Sequence, residues 1–223
     1  MPVSLPSAVL FDMDGLLVDT EPVWTVAEIE LADRLGSRWT PEIKAAVVGT
    51  RIGTAVPVIL TLLGQLPTPE LVAQTTAELL ARMVELFKGE LAPLPGAMAL
   101  LADLQRSGVP VALVSSSFRV LVDAVVNRLG LSFDVTIAGD EVHHAKPHRE
   151  PYETACLRLA VDPRRAVVLE DSPAGIDSGE AAGCAVVAVP SVAGVHPEPG
   201  PRRLVLTSLT ELDLAALGAL AAR

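Results

Sequence analysis

The apolar positions of the chain fall into short continuous runs that alternate with longer stretches of mixed polarity. Six runs have the length of strands: residues 7–11, 109–114, 135–138, 166–169, 184–189 and, more weakly, 204–206. Helix-like stretches lie between or after them, at residues 97–107, 118–129, 151–160, 173–182 and 209–222. Strands that are apolar throughout are buried on both faces, and their alternation with helices is typical of a parallel sheet. The pattern predicts an α/β fold with a doubly wound parallel sheet.

Residues 20–88 depart from this alternation, because they contain no convincing strand. The segment resembles several helices interrupted by breakers at Gly36, Pro41, Gly49, Gly53, Gly64, Pro67 and Pro69. It follows the first predicted strand directly, and the Pro95-Gly96 turn leads back into the alternating pattern. We therefore predict a core of residues 1–18 and 89–223, with an all-helical cap inserted at residues 19–88.

Polar side chains follow the predicted strands at the points where the strands end. In chain order these are Asp12 and Asp14, Ser115 and Ser116, Lys146, and Glu170 and Asp171. Because ligands bind outside the carboxyl ends of the strands in an open parallel sheet, we expect these side chains to line one edge.

The chemistry of this set points to a phosphoryl group. The two acidic pairs would repel each other without a cation, and oxygen-only ligands suit Mg²⁺. The serine hydroxyls and Lys146 supply the donors and the point charge that a bound phosphate needs. One aspartate of the first pair could attack a metal-bound phosphoryl group. The second, two residues on, could protonate the leaving oxygen and then deprotonate water.

Each motif also has a purely structural interpretation. Asp-x-Asp-Gly is commonly a turn, and a run of serines is uninformative alone. Ser172 and Pro173 are typical of a helix start, with Gly183 as its end. This last interpretation is compatible with a functional one. The conjunction of all four motifs, in this order at strand ends, favours a site.

The same motifs resemble those of the haloacid dehalogenase-like hydrolases. They are FDMDGLLVDTEP at residues 11–22, Val114-Ser115, Lys146-Pro147 and LEDSPAGIDSGEAAG at residues 169–183. The resemblance covers the whole chain, and the insertion at 20–88 matches the helical cap of β-phosphoglucomutase-like members. By this resemblance Asp12 is the nucleophile and Asp14 the general acid and base, while Ser115 and Lys146 hold the phosphoryl group. Mg²⁺ would be bound by Asp171, the Asp12 carboxylate and the Asp14 backbone carbonyl, with Glu170 supporting.

Comparison within this family favours hydrolysis of a small phosphorylated metabolite. Dehalogenase members lack the second acidic residue, which is present here as Asp14. Phosphonate-cleaving members use a cap lysine, but Lys44 is better interpreted as a surface residue. Mutases carry a cap histidine twelve residues after the nucleophile, where this chain has Trp24. The run Glu21–Trp24 instead resembles sugar-phosphate and polyol-phosphate phosphatases. A β-phosphoglucomutase-type mutase is the enzymatic alternative.

Two non-enzymatic alternatives are a phosphoaspartate receiver-like module and a catalytically silent phosphate-binding relative. A receiver also combines an acidic cluster, a hydroxyl and a lysine on a doubly wound sheet. The helical insertion and the spacing of Asp12 and Asp14 argue against it, and intact motifs argue against a silent relative. Repeated phosphate release would separate an enzyme from either.

Substrate choice is expected from the cap. Arg51 lies between Gly49 and Gly53, so it is our candidate for contacting an anionic substrate. Trp24 is either an apolar wall of the site or a core aromatic. We interpret His143, His144 and His148 as a polar loop, because no cysteine or carboxylate appears at metal-ligand spacing.

Composition excludes several partners and locations. The net charge of −10 argues against nucleic acid and anionic membrane surfaces. No apolar run reaches the roughly 18 residues of a membrane span, and the first basic residue is Arg34, so a signal peptide is not expected. Cys156 and Cys184 lie in apolar surroundings and suggest core positions in a reducing compartment. We therefore expect a soluble cytoplasmic protein, whose oligomeric state the sequence does not indicate.

Overall fold

The computed structural model describes residues 5–47, 50–191 and 196–223. The chain divides into two compact units. One, the sheet unit, comprises residues 1–19, 92–116 and 132–223, and the other, the helical unit, comprises residues 20–91 and 117–131. The division expected from sequence counted residues 117–131 with the core, whereas here they group with the helical segments.

A six-stranded parallel sheet forms the centre of the sheet unit. Its strands are β1 (Ala8–Phe11), β2 (Val111–Val114), β3 (Val135–Ile137), β4 (Ala166–Glu170), β5 (Ala185–Ala188) and β6 (Arg203–Val205). They lie in the order β3-β2-β1-β4-β5-β6. The chain thus builds outward from β1 to one side and then to the other, and the switch falls between β1 and β4. The predicted doubly wound, Rossmann-like α/β fold is confirmed.

The central strand is buried on both faces, as its continuous apolar sequence predicts. Leu10 of β1 pairs in register with Ala112 and Val168 on the two neighbouring strands. Leu10 and Val168 belong to a core cluster that includes Tyr152 from a flanking helix. Successive side chains of a strand face opposite sides of the sheet. On the side opposite to Leu10, Phe11 makes an edge-to-face contact with Phe133, with ring centroids 6.1 Å apart. Packing on both faces fixes the end of β1, where the first acidic pair begins.

Helices account for most of the remaining described residues. They are α1 (Glu21–Arg34), α2 (Pro41–Val47), α3 (Ile52–Leu62), α4 (Pro69–Phe87), α5 (Ala97–Arg106), α6 (Arg119–Leu129), α7 (Glu150–Arg158), α8 (Pro173–Ala181) and α9 (Leu214–Ala221). Of these, α1 to α4 and α6 belong to the helical unit.

The prediction of a single helix at residues 209–222 is wrong at its first turn. Ser208 forms a capping box that begins a short 3₁₀ segment, Leu209–Glu211. Leu212 is then extended, and the Asp213 side chain accepts a hydrogen bond from the Ala216 N–H (2.7 Å), which starts α9. Two capping side chains five residues apart therefore divide one apolar stretch into two elements.

The longest helix of the helical unit shows why this segment folds as helices. In α4 the buried residues are Thr75, Leu79, Met83 and Phe87. A spacing of four places them on one face of the helix. A second cluster within the unit contains Leu31, Ala32, Ile43, Val47, Ala55, Ile59 and Leu63.

Lys44 is not the surface residue that the sequence suggested. Its side chain is only 20% exposed, and its ammonium lies 2.6 Å from Glu21 and 2.7 Å from Glu28. Burial raises the pKa of the Glu28 carboxyl, and the hydrogen bond and charge of Lys44 oppose that rise. The lysine thus links α2 to α1 within the helical unit.

Among the described residues, none of the helices is both long and apolar enough to cross a membrane.

The cap of α4 provides a test of this local account. The Thr68 hydroxyl accepts a hydrogen bond from the Leu71 N–H (3.3 Å), and Pro69 occupies the first helical position. Thr68→Ala should lower the free energy of unfolding by about 1 kcal/mol, because an N-terminal donor loses its partner. Thr68→Ser keeps the hydroxyl and should stay within about 0.5 kcal/mol of wild type. Urea denaturation measures both, and equal losses in the two variants would contradict the capping role.

Candidate active site

The loop after β1 carries the first acidic pair. The Asp12 N–H donates to the Leu169 carbonyl (3.0 Å), so the ladder between β1 and β4 extends to the aspartate itself. Asp12 is 6% exposed, whereas Asp14 is partly exposed. Gly15 then turns the chain with a φ of +85°, and a Cβ there would collide with the Asp171 carboxylate. This turn therefore requires glycine.

Lys146 lies among the acidic residues and is fully paired. Its ammonium donates to Asp12 Oδ1 (2.5 Å), Glu170 Oε1 (2.6 Å) and the Val114 carbonyl (2.9 Å). These three acceptors match the three protons of an ammonium group. Burial lowers the pKa of Lys146, but the carboxylates of Asp12 and Glu170 outweigh it, and the pKa is raised overall. The lysine is therefore charged, and it holds the Asp12 carboxylate in one orientation.

The loop that presents Lys146 is anchored at several points. The Lys146-Pro147 peptide bond is cis, and the His148 N–H donates to the Ala145 carbonyl (2.9 Å). The buried Ser178 hydroxyl of α8 donates to the His148 carbonyl (2.6 Å). The Lys146 ammonium also lies 5.0 Å from the centroid of the Tyr152 ring, within the range of a cation–π contact.

Glu170 connects the lysine to α8. Its Oε1 accepts hydrogen bonds from Lys146 and from the Tyr152 hydroxyl (2.6 Å). Its Oε2 accepts from the Asp171 N–H (3.1 Å) and from both the N–H (3.3 Å) and the hydroxyl (3.1 Å) of Ser172. Five donors surround this fully buried carboxylate, more than its roughly four lone-pair sites. Glu170 is therefore suited to position its neighbours rather than to bind a ligand directly.

The helix start predicted at Ser172 and Pro173 is confirmed. The Ser172 hydroxyl accepts from the Gly175 N–H (3.1 Å), and Pro173 is the first residue of α8. A Cβ at Gly175 would collide with the Glu170 carboxylate. The first turn of α8 thus packs directly on Glu170, which explains a glycine at this position.

The serines after β2 occupy different environments. The Ser115 hydroxyl donates to Asp14 Oδ2 (3.1 Å), and Ser115 is 2% exposed. Ser116 is partly exposed, and its backbone packs closely against Gly139. Ser115 is thus in contact with the first acidic pair, while a phosphate-binding role for Ser116 stays a prediction.

The remaining sequence candidates belong to the helical unit. Arg51 is the residue before α3, and Trp24 is a partly exposed residue of α1. Their roles in substrate choice stay predictions.

Asp12, Glu170 and Asp171 form a compact carboxylate cluster, in which Asp12 and Asp171 are the candidate ligands of a divalent cation. One carboxylate oxygen each of Asp12, Glu170 and Asp171 lies within 4.8 Å of the other two. Burial, reinforced by Glu170, raises the pKa of Asp171 to about 7. Burial also raises the pKa of Asp12 well above its usual value, although Lys146 opposes this rise. Oxygen-only ligands that a single ammonium does not neutralise are typical of a Mg²⁺ site.

Sequence reasoning missed two residues that contact this cluster. Tyr152 donates to Glu170, and the Ser191 hydroxyl donates to Asp171 Oδ2. Tyr152 could have been noticed, because it is the one tyrosine of a chain that contains few aromatic residues. Nothing in the sequence around Ser191 indicates its contact.

The prediction for the two cysteines is confirmed, whereas one statement about the histidines is wrong. Cys156 and Cys184 are 1% and 3% exposed, so their assignment to the core is confirmed. The statement that no carboxylate stands at ligand spacing to the histidines is wrong, because Glu150 Oε2 lies 2.8 Å from His144 Nδ1.

Comparison with known proteins identifies the family. The model of the haloacid dehalogenase-like hydrolases matches residues 6–183. The chain therefore belongs to this family of hydrolases, as the four motifs predicted.

Individual relatives agree with this assignment. Hexitol phosphatase B of Escherichia coli K12 is 31% identical over 213 residues, covering 92% of this chain and 93% of the relative. A bifunctional riboflavin kinase/FMN phosphatase of Arabidopsis thaliana is 33% identical over 194 residues, which are 84% of this chain but 49% of that protein.

A crystal structure of CbbY from Rhodobacter sphaeroides with phosphate has a TM-score of 0.84 at 32% identity, covering 96% of this chain and 99% of that one. A mutant of the same protein, in complex with xylulose 1,5-bisphosphate, has a TM-score of 0.82 at 30% identity, with the same coverage of 96% and 99%.

The contact between α8 and Glu170 predicts that alanine substitutions at two glycines differ in their effect on stability. Gly175→Ala should lower the free energy of unfolding by about 1–3 kcal/mol or more, because the new methyl group displaces the buried carboxylate. Gly53→Ala, in the first turn of α3, meets nothing within 4 Å and should be neutral or stabilising. Chemical denaturation of the two variants tests this contrast, and similar effects would contradict it.

The Tyr152 hydroxyl provides a second test. Tyr152→Phe keeps the ring beside Lys146 but removes a donor to buried Glu170. It should cost about 1–3 kcal/mol of unfolding free energy. Tyr152→Leu also removes the ring and should cost more. A Phe variant as stable as wild type would show that the hydroxyl is unimportant for holding Glu170.

Proposed function

We propose that this protein is a Mg²⁺-dependent phosphatase that hydrolyses the phosphate monoester of a sugar or polyol through a phosphoaspartate at Asp12. The observation that carries the proposal is the contact between Asp12 and Lys146 at the carboxyl end of the central strand. Asp12, our candidate nucleophile, lies 2.5 Å from the buried Lys146 ammonium, and the Ser115 hydroxyl donates to Asp14, two residues further along the chain; both contacts support the proposal. Membership of the hydrolase family supports the same conclusion.

In the first half of the reaction, a carboxylate oxygen of Asp12 attacks phosphorus and the ester P–O bond breaks. When substrate binds, Lys146 and Ser115 each exchange a present acceptor, Asp12 Oδ1 and Asp14 Oδ2 respectively, for a phosphoryl oxygen and so stabilise the charge on the transferring group. Asp14 gives its proton to the leaving sugar oxygen. Asp14 is partly exposed, which suits contact with the leaving group of a bound substrate.

In the second half, Asp14 is ionised and accepts a proton from water. The water attacks phosphorus, and the bond between phosphorus and the Asp12 oxygen breaks. Phosphate leaves, Asp12 is again a carboxylate, and Asp14 is again protonated. The two aspartates thus return to their starting states.

The residues that would hold Mg²⁺ are the carboxylates of Asp12 and Asp171 and the backbone carbonyl of Asp14, with Glu170 positioning Asp171. When bound, the cation would offset the negative charge of the phosphoryl group as that group approaches the acidic cluster.

We infer the substrate class from the compounds on which the relatives act or which they bind. Hexitol phosphate, xylulose 1,5-bisphosphate and FMN, with its ribityl chain, all carry phosphate on a polyhydroxylated carbon chain. We assign the same class to this protein. Arg51 is our candidate for contacting the substrate.

The positions of the histidines in the sequence favour hydrolysis over mutase chemistry. The position of the mutase histidine is Trp24, and the four histidines of the chain are residues 143, 144, 148 and 196, all outside the helical insertion. Without a gated proton shuttle at that position, water is the expected phosphoryl acceptor.

Phosphate release from a panel of substrates tests this proposal. The panel comprises hexitol phosphates, ketose phosphates, FMN, nucleotides and short acid phosphates, each with Mg²⁺ and with a chelator. We expect chelator-sensitive turnover that is highest for sugar or polyol phosphates. Absence of phosphate release, together with isomerisation of β-glucose 1-phosphate, would establish the mutase instead. A single stoichiometric labelling without turnover would indicate a receiver-like module.

Removing the nucleophile gives a mutational test. Asp12→Asn should abolish turnover, because an amide cannot form the phosphoaspartate, while circular dichroism shows the fold retained. Glu42→Gln, at an exposed position of α2, is the control and should turn over at the wild-type rate. Substantial activity in Asp12→Asn would remove Asp12 as the nucleophile.

A further inference from the structure

The loop between β3 and α7 contains a second group of metal-ligating side chains. Three of the four histidines of the chain lie within residues 143–148. The rings of His144 and His148 have centroids 4.5 Å apart, and the His144 Nδ1 lies 2.8 Å from Glu150 Oε2. One ligand atom each of His144, His148 and Glu150 lies within 4.8 Å of the other two.

The carboxylate of this group is held in place by the backbone. The N–H groups of His143 and His144 donate to Glu150 Oε1 (2.7 Å) and Oε2 (2.9 Å). These hydrogen bonds, the one from the His143 N–H foremost, lower the pKa of Glu150 to about 2. The Glu150 N–H in turn donates to His148 Nδ1 (3.2 Å). The three side chains are therefore brought together by the folding of the loop and not by chance contacts between free side chains.

The geometry is compatible with one bound ion. Zn²⁺ lies about 2.0–2.2 Å from its nitrogen and oxygen ligands, so two ligands of one tetrahedral ion are about 3.4 Å apart. His144 Nδ1 and Glu150 Oε2 are 2.8 Å apart, a hydrogen-bond distance, so an ion between them would replace this hydrogen bond and separate the two atoms by only a few tenths of an ångström. Imidazole ligands favour Zn²⁺, Ni²⁺ and Cu²⁺ over Mg²⁺, in contrast to the oxygen-only cluster around Asp12.

We propose that His144, His148 and Glu150 form a surface site for a divalent ion of the zinc class, with water completing the coordination. The site faces solvent, since the His144 side chain is 65% exposed, so an ion reaches it without opening the fold. The net charge of −10 favours the approach of a cation.

Titration of the full chain with Zn²⁺ tests the site. A chromophoric chelator competes for the metal, and excess Mg²⁺ occupies the carboxylate cluster. We expect one equivalent of Zn²⁺ to bind wild type. His144→Asn and His148→Asn should each weaken binding at least about tenfold, because each removes a ligand. Co²⁺ bound to wild type should show the visible absorption of imidazole ligation, which tests the site without any substitution.

Two further variants separate this site from its neighbours. His143→Asn changes an exposed histidine of the same loop that is outside the cluster, and it should bind Zn²⁺ as wild type does. Asp171→Asn alters the carboxylate cluster and should still bind one equivalent of Zn²⁺. Absence of Zn²⁺ binding to wild type would overturn the proposal. So would binding that survives both His144→Asn and His148→Asn but is lost in Asp171→Asn, because the metal would then lie at the carboxylate cluster.

Discussion

The ion pairing of Lys146 is the interaction on which the rest of the candidate active site depends. Its ammonium contacts Asp12, Glu170 and the end of β2, and so it joins the ends of three adjacent strands. Burying carboxylates at this position is costly unless each is paired and hydrogen-bonded. Glu170 meets this requirement with five donors, and Tyr152 and the first turn of α8 are placed by contact with it. The lysine and Glu170 together explain why a cluster of acidic residues persists in the interior.

The same cluster retains an excess of negative charge that one lysine does not balance. Burial is the main cause of the raised pKa values of Asp12 and Asp171, and the neighbouring carboxylates raise them further. A bound divalent cation would neutralise these groups, and the phosphoryl group of a substrate would bring further charge to the same place. A site that is short of positive charge is therefore suited to a metal and an anionic substrate that bind together. This shortage links the electrostatics of the fold to the proposed chemistry.

The sequence predicted those features that short segments determine. Continuous apolar runs predicted the parallel sheet, and Ser172 with Pro173 predicted the start of α8. Features that depend on distant contacts were not predicted. Two caps, Ser208 and Asp213, compete within one apolar stretch, and a pattern of hydrophobic periodicity does not decide between them. Likewise, the hydrogen bonds from the His143 and His144 N–H groups to Glu150 were not predicted, because the return of this side chain to the preceding loop is a consequence of tertiary folding.

The central claim is that Asp12 carries the phosphoryl group during the reaction. Asp14→Asn keeps this nucleophile but cannot activate water, and an aryl phosphate has a leaving group that needs no proton. The variant should therefore be phosphorylated by such a substrate and then fail to release phosphate. Acid quenching followed by peptide mapping locates the group. We predict one phosphoryl group on Asp12, absent from a variant that also carries Asp12→Asn. Phosphate release without any labelled Asp12 would contradict the account.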